Sequence, residues 1–383
     1  MPISGSIRIG MFGLRGLDPD REISGFETAF SEIAPRLVER GHSVTIYCRA
    51  AAHSPARRVA ADRGVKLRYM PSPGGKNFSA VTSTALAVAH ALPRREFDVW
   101  FFVNVGMGHH AAVARLSGAP VVMNVDGLDW QRAKWGPLAR GYFYSAAHSA
   151  VRYCTTLVTD AEAMRAHYRD HFKRESEMIA YGATIETSTA PHHLAPFEVE
   201  PGGYYLIVSR LVPENSLGAM LEGFSASRTK RQLVVVGGSH YRDAFHGELE
   251  SIAAHDPRIR MVGQISDQQV LKELWCNCYG YLHGHSVGGT NPALLRAMGY
   301  GACVLARDTV FNREVLGNAG LFFESDPAIV AKLVNHLDAT PALADLLRGR
   351  GTARIRDRYS WEKIVDQYEH VFTEAVARHR SVR

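Results

Sequence analysis

Cysteine is scarce in this sequence, with five in 383 residues, and none is spaced as a disulfide framework requires. That excludes a small disulfide-stapled scaffold and makes a reducing cytoplasm the expected compartment. Cys276 and Cys278 stand too close together, and too isolated, to form a zinc site. Long apolar runs are missing too; none reaches the roughly 20 residues that cross a bilayer. The opening MPISGSIRIGMFG lacks a signal peptide's charged and apolar regions. The expectation is a soluble chain, cytoplasmic, that touches at most the inner face of a membrane. Neither sign of charge dominates, and the net value of +6 is too diffuse for nucleic acid. It suits an anionic ligand, such as a nucleotide diphosphate or a phosphorylated lipid. No H-E-x-x-H accompanies the 18 histidines; His109-His110 and His192-His193 read as exposed polar residues. Asp18-Pro-Asp20 spells D-x-D, but its proline marks a turn. No metal is expected, no organic cofactor is called for, and no carboxylate pair is evident.

What is present is ordinary globular material, 46% hydrophobic and 21% charged, long enough for two domains. Short apolar runs alternate with helical patterns. Strands are expected at Ile7 to Gly13, Ser43 to Arg49, Val65 to Met70, Asp98 to Asn104, Pro120 to Asp126 and Thr156 to Asp160. The pattern restarts at Tyr204 to Ser209, Gln232 to Gly237, Arg260 to Gly263, Gly280 to His283 and Cys303 to Ala306. Continuous apolar strands separated by helices mean α/β layers with parallel sheets covered on both faces. The expected division is a Rossmann-like domain over 1–185, a Pro-, Thr-, Glu- and Gly-rich linker over 186–203, and a second Rossmann-like domain over 204–360. An amphipathic helix over 361–383 closes the chain.

Gly10, Gly13 and Gly16 follow the first strand as G-x-x-G-x-x-G, which is not the dinucleotide fingerprint. The second strand ends Cys48-Arg49 where a nicotinamide enzyme usually carries an acid. A dehydrogenase is thereby weakened, although an arginine there can accept a phosphate. Gly13 reads as a site of close backbone approach to a ligand. Ser24 and Glu27 form a capping box ahead of Phe26, Phe30, Ile33 and Leu37. Glu27 is a candidate catalytic carboxylate on the acceptor side, though the cap explains it without chemistry. Pro35 is expected to kink this helix, and Gly41 to stop it.

The strongest local signal runs from His283 to Arg296. A strand ends, Gly288 and Gly289 follow, then Thr290, and Asn291-Pro292 start a helix. Free backbone N–H groups and the dipole's positive end suit a diphosphate there. Ser209 to Asn215 lies between another strand and helix; Arg210 at that strand's carboxyl end can pair bidentately with phosphate. Asp126 ends a buried strand with Gly127 next, where a carboxylate can orient or deprotonate an acceptor hydroxyl. Arg132, Lys134, Trp135 and Arg140 interleave bases with aromatics near Tyr142 and Phe143. That stretch fits an anionic lipid phosphate or headgroups and fits a solvated helix face equally well.

These motifs, in order over nearly the whole chain, resemble family 4 retaining glycosyltransferases of the GT-B fold. The resemblance is nearest to the bacterial branch with the β-1,4-rhamnosyltransferases of capsule and cell-wall polysaccharide assembly. The residues that carry it are Gly25-Phe-Glu-Thr28, Arg36-Leu-Val-Glu-Arg-Gly-His42, Asn124-Val-Asp-Gly-Leu-Asp-Trp130, Arg132-Ala-Lys-Trp135, Arg210-Leu-Val-Pro-Glu214, His285-Ser-Val-Gly-Gly-Thr-Asn-Pro292 and Asn312-Arg-Glu-Val-Leu316. Tyr359-Ser-Trp-Glu362 resembles the start of the family's last helix, which crosses back to the N-terminal domain. The resemblance implies two Rossmann-like domains facing a cleft and a nucleotide-sugar donor held mostly by the C-terminal one. The donor set would be Gly13, Gly25, Arg210, Asn215, Gly263, Gln264, Ile265, Gly288, Gly289, Thr290, Asn291 and Arg296. The acceptor, a saccharide, lipid-linked saccharide or other hydroxyl compound, would meet Glu27, Asp126, Gly127, Asp129, Trp130 and Arg132. Asp126 and Arg210 are the residues expected to act in catalysis. The family's two donor-contacting acids are replaced by Gly288 and Arg296, and its usual lysine by Asn215. Two rivals stay open: a sugar-nucleotide epimerase of the same fold, and a non-catalytic nucleotide-sugar-binding protein, which the Gly288 and Arg296 departures support.

Overall fold

A computed structural model describes residues 5–16, 25–49, 63–73, 75–131, 135–238, 244–286 and 288–381. The chain divides into two compact units, Met1–Tyr181 with Trp361–Arg383, and Gly182–Ser360.

The first unit carries seven parallel strands: β1 (Arg8–Leu14), β2 (Ser43–Arg49), β3 (Lys66–Met70), β4 (Val99–Phe102), β5 (Val121–Asn124), β6 (Thr156–Thr159) and β7 (Glu177–Met178). They lie in the order β3-β2-β1-β4-β5-β6-β7. Its helices include α1 (Gly25–Glu39), α2 (Gly75–Ala91), α3 (Gly108–Ala114), α4 (Pro137–Tyr153) and α5 (Glu162–Phe172). The central strands are buried throughout, as Val-Trp-Phe-Phe in β4 requires when helices cover both faces. Phe12 stacks between Tyr47 of β2 and Trp100 of β4, at 4.9 and 4.8 Å.

The second unit has six parallel strands: β8 (Tyr204–Val208), β9 (Gln232–Val236), β10 (Ile259–Gly263), β11 (Gly280–His283), β12 (Val304–Arg307) and β13 (Gly320–Phe323). Their order is β10-β9-β8-β11-β12-β13. The helices are α6 (Leu217–Ala226), α7 (Ala244–His255), α8 (Gln268–Asn277), α9 (Pro292–Gly299), α10 (Val310–Leu316), α11 (Pro327–Ala339) and α12 (Pro341–Arg354). Each sheet is thus a doubly wound Rossmann-like layer whose order reverses once, beside β1 in the first unit and beside β8 in the second. Reversal points are where such sheets bind ligands, at the strands' carboxyl ends.

The last helix, α13 (Trp361–Ser381), belongs to the first unit. Ile364, Val365, Tyr368, Val371, Phe372, Ala375 and Val376 make its buried stripe. Tyr368 and Phe372 pack on Phe101 of β4, with ring centroids 5.7 and 5.4 Å apart. Arg40 adds ion pairs to Asp366 and Glu369, at 2.6 and 2.7 Å.

Several expectations need correction. The stretch read as a linker is folded into the second unit. Pro191–Phe197 forms 3-10 turns, and Ser188 Oγ, Thr189 N and Ala190 N donate to the Glu273 carboxylate of α8. Because Glu273 is fully buried, those donors supply the partners its charge requires. The unit boundary falls at Tyr181 rather than 185. Strands β7 and β13 were not foreseen.

Candidate functional site

In the second unit the site forms where β8 and β11 lie side by side at the sheet's reversal. Strand β8 leads into Ser209-Arg210, and β11 into Gly284-His285-Ser286. The two loops are locked together. Buried Asn215 donates through Nδ2 to Ser209 Oγ at 2.8 Å and to the Arg210 carbonyl at 3.0 Å. Ser286 Oγ donates to the Glu214 carbonyl at 2.6 Å. Only glycine fits at 284, because a Cβ there would lie 2.0 Å from the Asn215 carbonyl oxygen. Asn215 therefore props Arg210 from within; it does not stand in for a second cation.

Two histidines of the His283 to Arg296 segment, given no role from the sequence, sit at this point. His283 is fully buried, and its ring stacks on His285 at 4.5 Å and 18°. Tyr281 Oη lies 3.3 Å from His283 Nδ1, while His283 Nε2 and His285 Nδ1 have no hydrogen-bond partner among the described residues. Burial holds His283 well below the ordinary imidazole range. Burial, and then the Arg210 charge, push His285 down to about 4. Both rings are therefore neutral at pH 7. Asn312 fixes this loop from the other side, donating to the His285 carbonyl at 3.0 Å.

The glycine-led helix start is as expected from the sequence. Gly288 has φ +106, and Asn291 Oδ1 accepts from Ala293 N at 2.9 Å at the start of α9. Gly289 is half-buried and Thr290 buried. At the end of β10, Gly263 has φ +75 and its carbonyl accepts from Gly237 N at 2.9 Å. Gln264 beside it is exposed and Ile265 half-buried. The carboxyl edge of β8 to β11 thus gathers Arg210, Gly263, Gln264, Ile265, Gly288, Gly289, Thr290 and Asn291. Arg296 turns aside to α8, donating to Gln268 Oε1 at 3.1 Å and lying 5.6 Å over the Trp275 ring.

In the first unit Gly13 has φ +100, and a Cβ there would meet Val103 Cγ2 at 3.2 Å. Gly25 opens α1. Ser24 lies outside the described residues, so the capping box is not described. Glu27 is buried, and its Oε1 accepts from Arg15 N at 3.0 Å, which ties the loop after β1 to the start of α1.

Asp126 is only 6% exposed. Its amide donates to Asn124 Oδ1 at 2.9 Å, and its Oδ1 accepts from Asp160 N at 2.7 Å. Asp160, also buried, follows β6, so the fold makes a carboxylate pair that the sequence did not disclose. Burial, and then the Asp160 charge, raise the Asp126 carboxyl well above the ordinary carboxylate range. The buried phenols of Tyr181 and Tyr368 feel both carboxylates, and that of Tyr168 feels Asp126. Gly127 has φ +76, and Asp129 is buried in the turn Asp129–Gln131. Trp130 packs against Tyr144 and Phe172, with ring centroids 5.9 and 6.0 Å away. Arg132 lies outside the described residues, as do Lys134, Asp18 and Asp20. Among the described residues no group of His, Cys, Asp and Glu is arranged to hold a metal ion. No described helix is long and apolar enough to cross a membrane.

The family comparisons divide the chain as its sheets do. Residues 24–182 match a glycosyl transferase 4-like domain, and residues 203–339 match the glycosyl transferases group 1 family. No curated protein sequence matches the chain significantly. Similar solved structures include Anabaena Alr3699/HepE in complex with UDP and glucose, at 14% identity and TM-score 0.78 over 96% of this chain and 100% of that one. Sucrose-phosphate synthase from Thermosynechococcus elongatus matches at 16% identity and TM-score 0.77, over 97% of this chain and 99% of that one. A glycosyltransferase from Rickettsia africae matches at 13% identity and TM-score 0.73, over 97% and 99%. With both domain families matched in order and the fold shared end to end, the chain is a two-domain glycosyltransferase of the GT-B fold.

Proposed function

We propose that the protein transfers a hexose, rhamnose in the narrowest reading, from a nucleotide-diphosphate donor to a hydroxyl of a saccharide or lipid-linked acceptor, with retention of configuration. The observation that carries the reading is the second unit's reversal point. There Arg210, two neutral histidines and the glycine-led start of α9 converge at the carboxyl ends of β8 and β11. That combination suits a diphosphate: a guanidinium and the positive end of the α9 dipole stabilise the charge that develops as the leaving group departs. The complexes of the similar HepE with UDP-glucose and UDP support a nucleotide-sugar donor.

In this reading the bond from the anomeric carbon to the donor phosphate breaks, and the acceptor oxygen bonds that carbon on the same face. A donor phosphate oxygen takes the acceptor proton. The protein contributes positioning and charge stabilisation, and Asp126, with Asp160 at its side, holds the acceptor side. The transfer needs no metal or further cofactor and takes place in the cytoplasm, at the membrane's inner face if the acceptor is lipid-linked. Arg296, engaged with Gln268 and Trp275, favours one rival: a protein that binds nucleotide sugar without consuming it. Binding of UDP-, dTDP- and GDP-sugars, followed by product analysis with the tightest binder, separates them. A tight binder that yields neither transfer product nor free nucleotide would overturn the transferase reading.

A further inference from the structure

Among its described residues the first unit sets two arginines, Arg15 and Arg49, side by side without a carboxylate ion pair. Several arginines of this unit have carboxylate partners: Arg8 with Asp98, Arg36 with Glu32 and Glu362, Arg40 with Glu362, Asp366 and Glu369, and Arg68 with Glu96. Arg49, half-buried at the last position of β2, has none among the described residues. Its side-chain contact is a neutral one, Nη1 to Ser79 Oγ at 3.4 Å. Beside it stands a second cation. Arg49 N donates to the Arg15 carbonyl at 3.2 Å, so the two residues lie level at the carboxyl ends of adjacent strands. Burial, and then the Arg15 charge, weaken the hold of the Arg49 guanidinium on its proton, and Glu27 offsets this only in part.

Partly burying a guanidinium beside another cation is unfavourable without an anion. No carboxylate among the described residues forms an ion pair with it, and an anionic ligand would supply the missing charge. The place fits: the carboxyl edge of β1 and β2 adjoins the sheet's reversal between β1 and β4. Two guanidiniums and a hydroxyl offer more donors than a carboxylate's two oxygens can engage. A phosphoryl group presents three acceptor oxygens in a geometry arginine forks match. The donor diphosphate already has its cation and helix start in the other unit.

We propose that Arg15 and Arg49, with Ser79, form a binding site for a phosphoryl group carried by the acceptor. The assignment to the acceptor rests on the transferase reading above; the anion site itself does not. The test uses the full chain saturated with UDP, so that the second unit's anion site is occupied. Inorganic phosphate, glucose 1-phosphate, farnesyl phosphate and acetate are then titrated by calorimetry. Phosphate-bearing probes are expected to bind the wild type, and Arg49→Gln or Arg15→Gln to weaken them about ten- to a hundredfold while UDP affinity is unchanged. Arg15 is exposed, so Arg15→Gln keeps the test intact if Arg49→Gln fails to fold. Stronger binding of farnesyl phosphate would identify a lipid-linked acceptor, and of glucose 1-phosphate a soluble sugar phosphate. A UDP-competent protein that ignores phosphate, prefers acetate, or binds phosphate equally well in both variants overturns the site. A wild type that binds none of UDP, dTDP and GDP counts against the transferase reading instead, and phosphate titration of that same protein still decides the arginine site.

Discussion

Replacing Gly284 with alanine tests whether the two loops of the second unit act as one body. The added Cβ would lie 2.0 Å from the Asn215 carbonyl oxygen and 2.6 Å from Met220 Cε. Comfortable contact needs about 3.5 Å, so one loop must retreat by more than about 1 Å. The Met220 methyl can rotate away. The Asn215 backbone cannot do so cheaply, because its amide donates to Val212 and its side chain holds Ser209 and Arg210. Overpacking of this kind costs roughly 1–3 kcal/mol of stability. The same shift moves Arg210 off its aim, and losing a charge-assisted contact worth about 2 kcal/mol weakens a diphosphate roughly thirtyfold. The control is Gly247→Ala in α7, where a Cβ meets nothing within 4 Å. It should stabilise the helix by about 0.5–1 kcal/mol and leave binding alone. Urea denaturation and UDP calorimetry on both variants give the comparison. Wild-type stability together with wild-type UDP affinity in Gly284→Ala would refute the idea that this glycine seats the arginine loop.

Three further outcomes are expected. Arg210→Ala should keep its fold and lose about 2 kcal/mol of transition-state stabilisation; unchanged donor binding and turnover would remove it from the site. Asp126→Asn should hold donor affinity within about threefold and lower turnover roughly a hundredfold, as donor calorimetry and a turnover assay would show. Its stability carries a sign as well. The Asp126 carboxyl is raised in the folded state, so the stability it contributes is complete below the ordinary carboxylate range and is lost as pH rises through the raised value. Melting temperatures between pH 5 and 9 should therefore move in favour of Asp126→Asn as pH increases, and a constant difference would contradict the buried pair. Activity should survive EDTA; complete loss restored by Mg²⁺ or Mn²⁺ would show a metal requirement.

Most of the strands were legible because parallel strands buried on both faces are written as continuous apolar runs, as in Val99–Phe102. The start of α9 was legible because Asn291-Pro292 is a local signal: a capping side chain and a preset φ act within one turn. Arg210 at a strand end was legible for the same reason. The two-residue β7 carries too little pattern to stand out. The folded stretch at 188–197 was misread because its stability comes from Glu273, a residue more than 80 positions away. The pairing of Asp126 with Asp160 depends on β5 lying beside β6, and the meeting of Arg210 with His285 on β8 lying beside β11. Composition does not encode that adjacency; it arises when each sheet chooses its strand order to bury its helices. Burial then decided the chemistry. It made two histidines neutral, raised one carboxyl, and set Arg49 beside another cation, because the cost of a charge depends on the water and counter-charges the tertiary structure leaves around it.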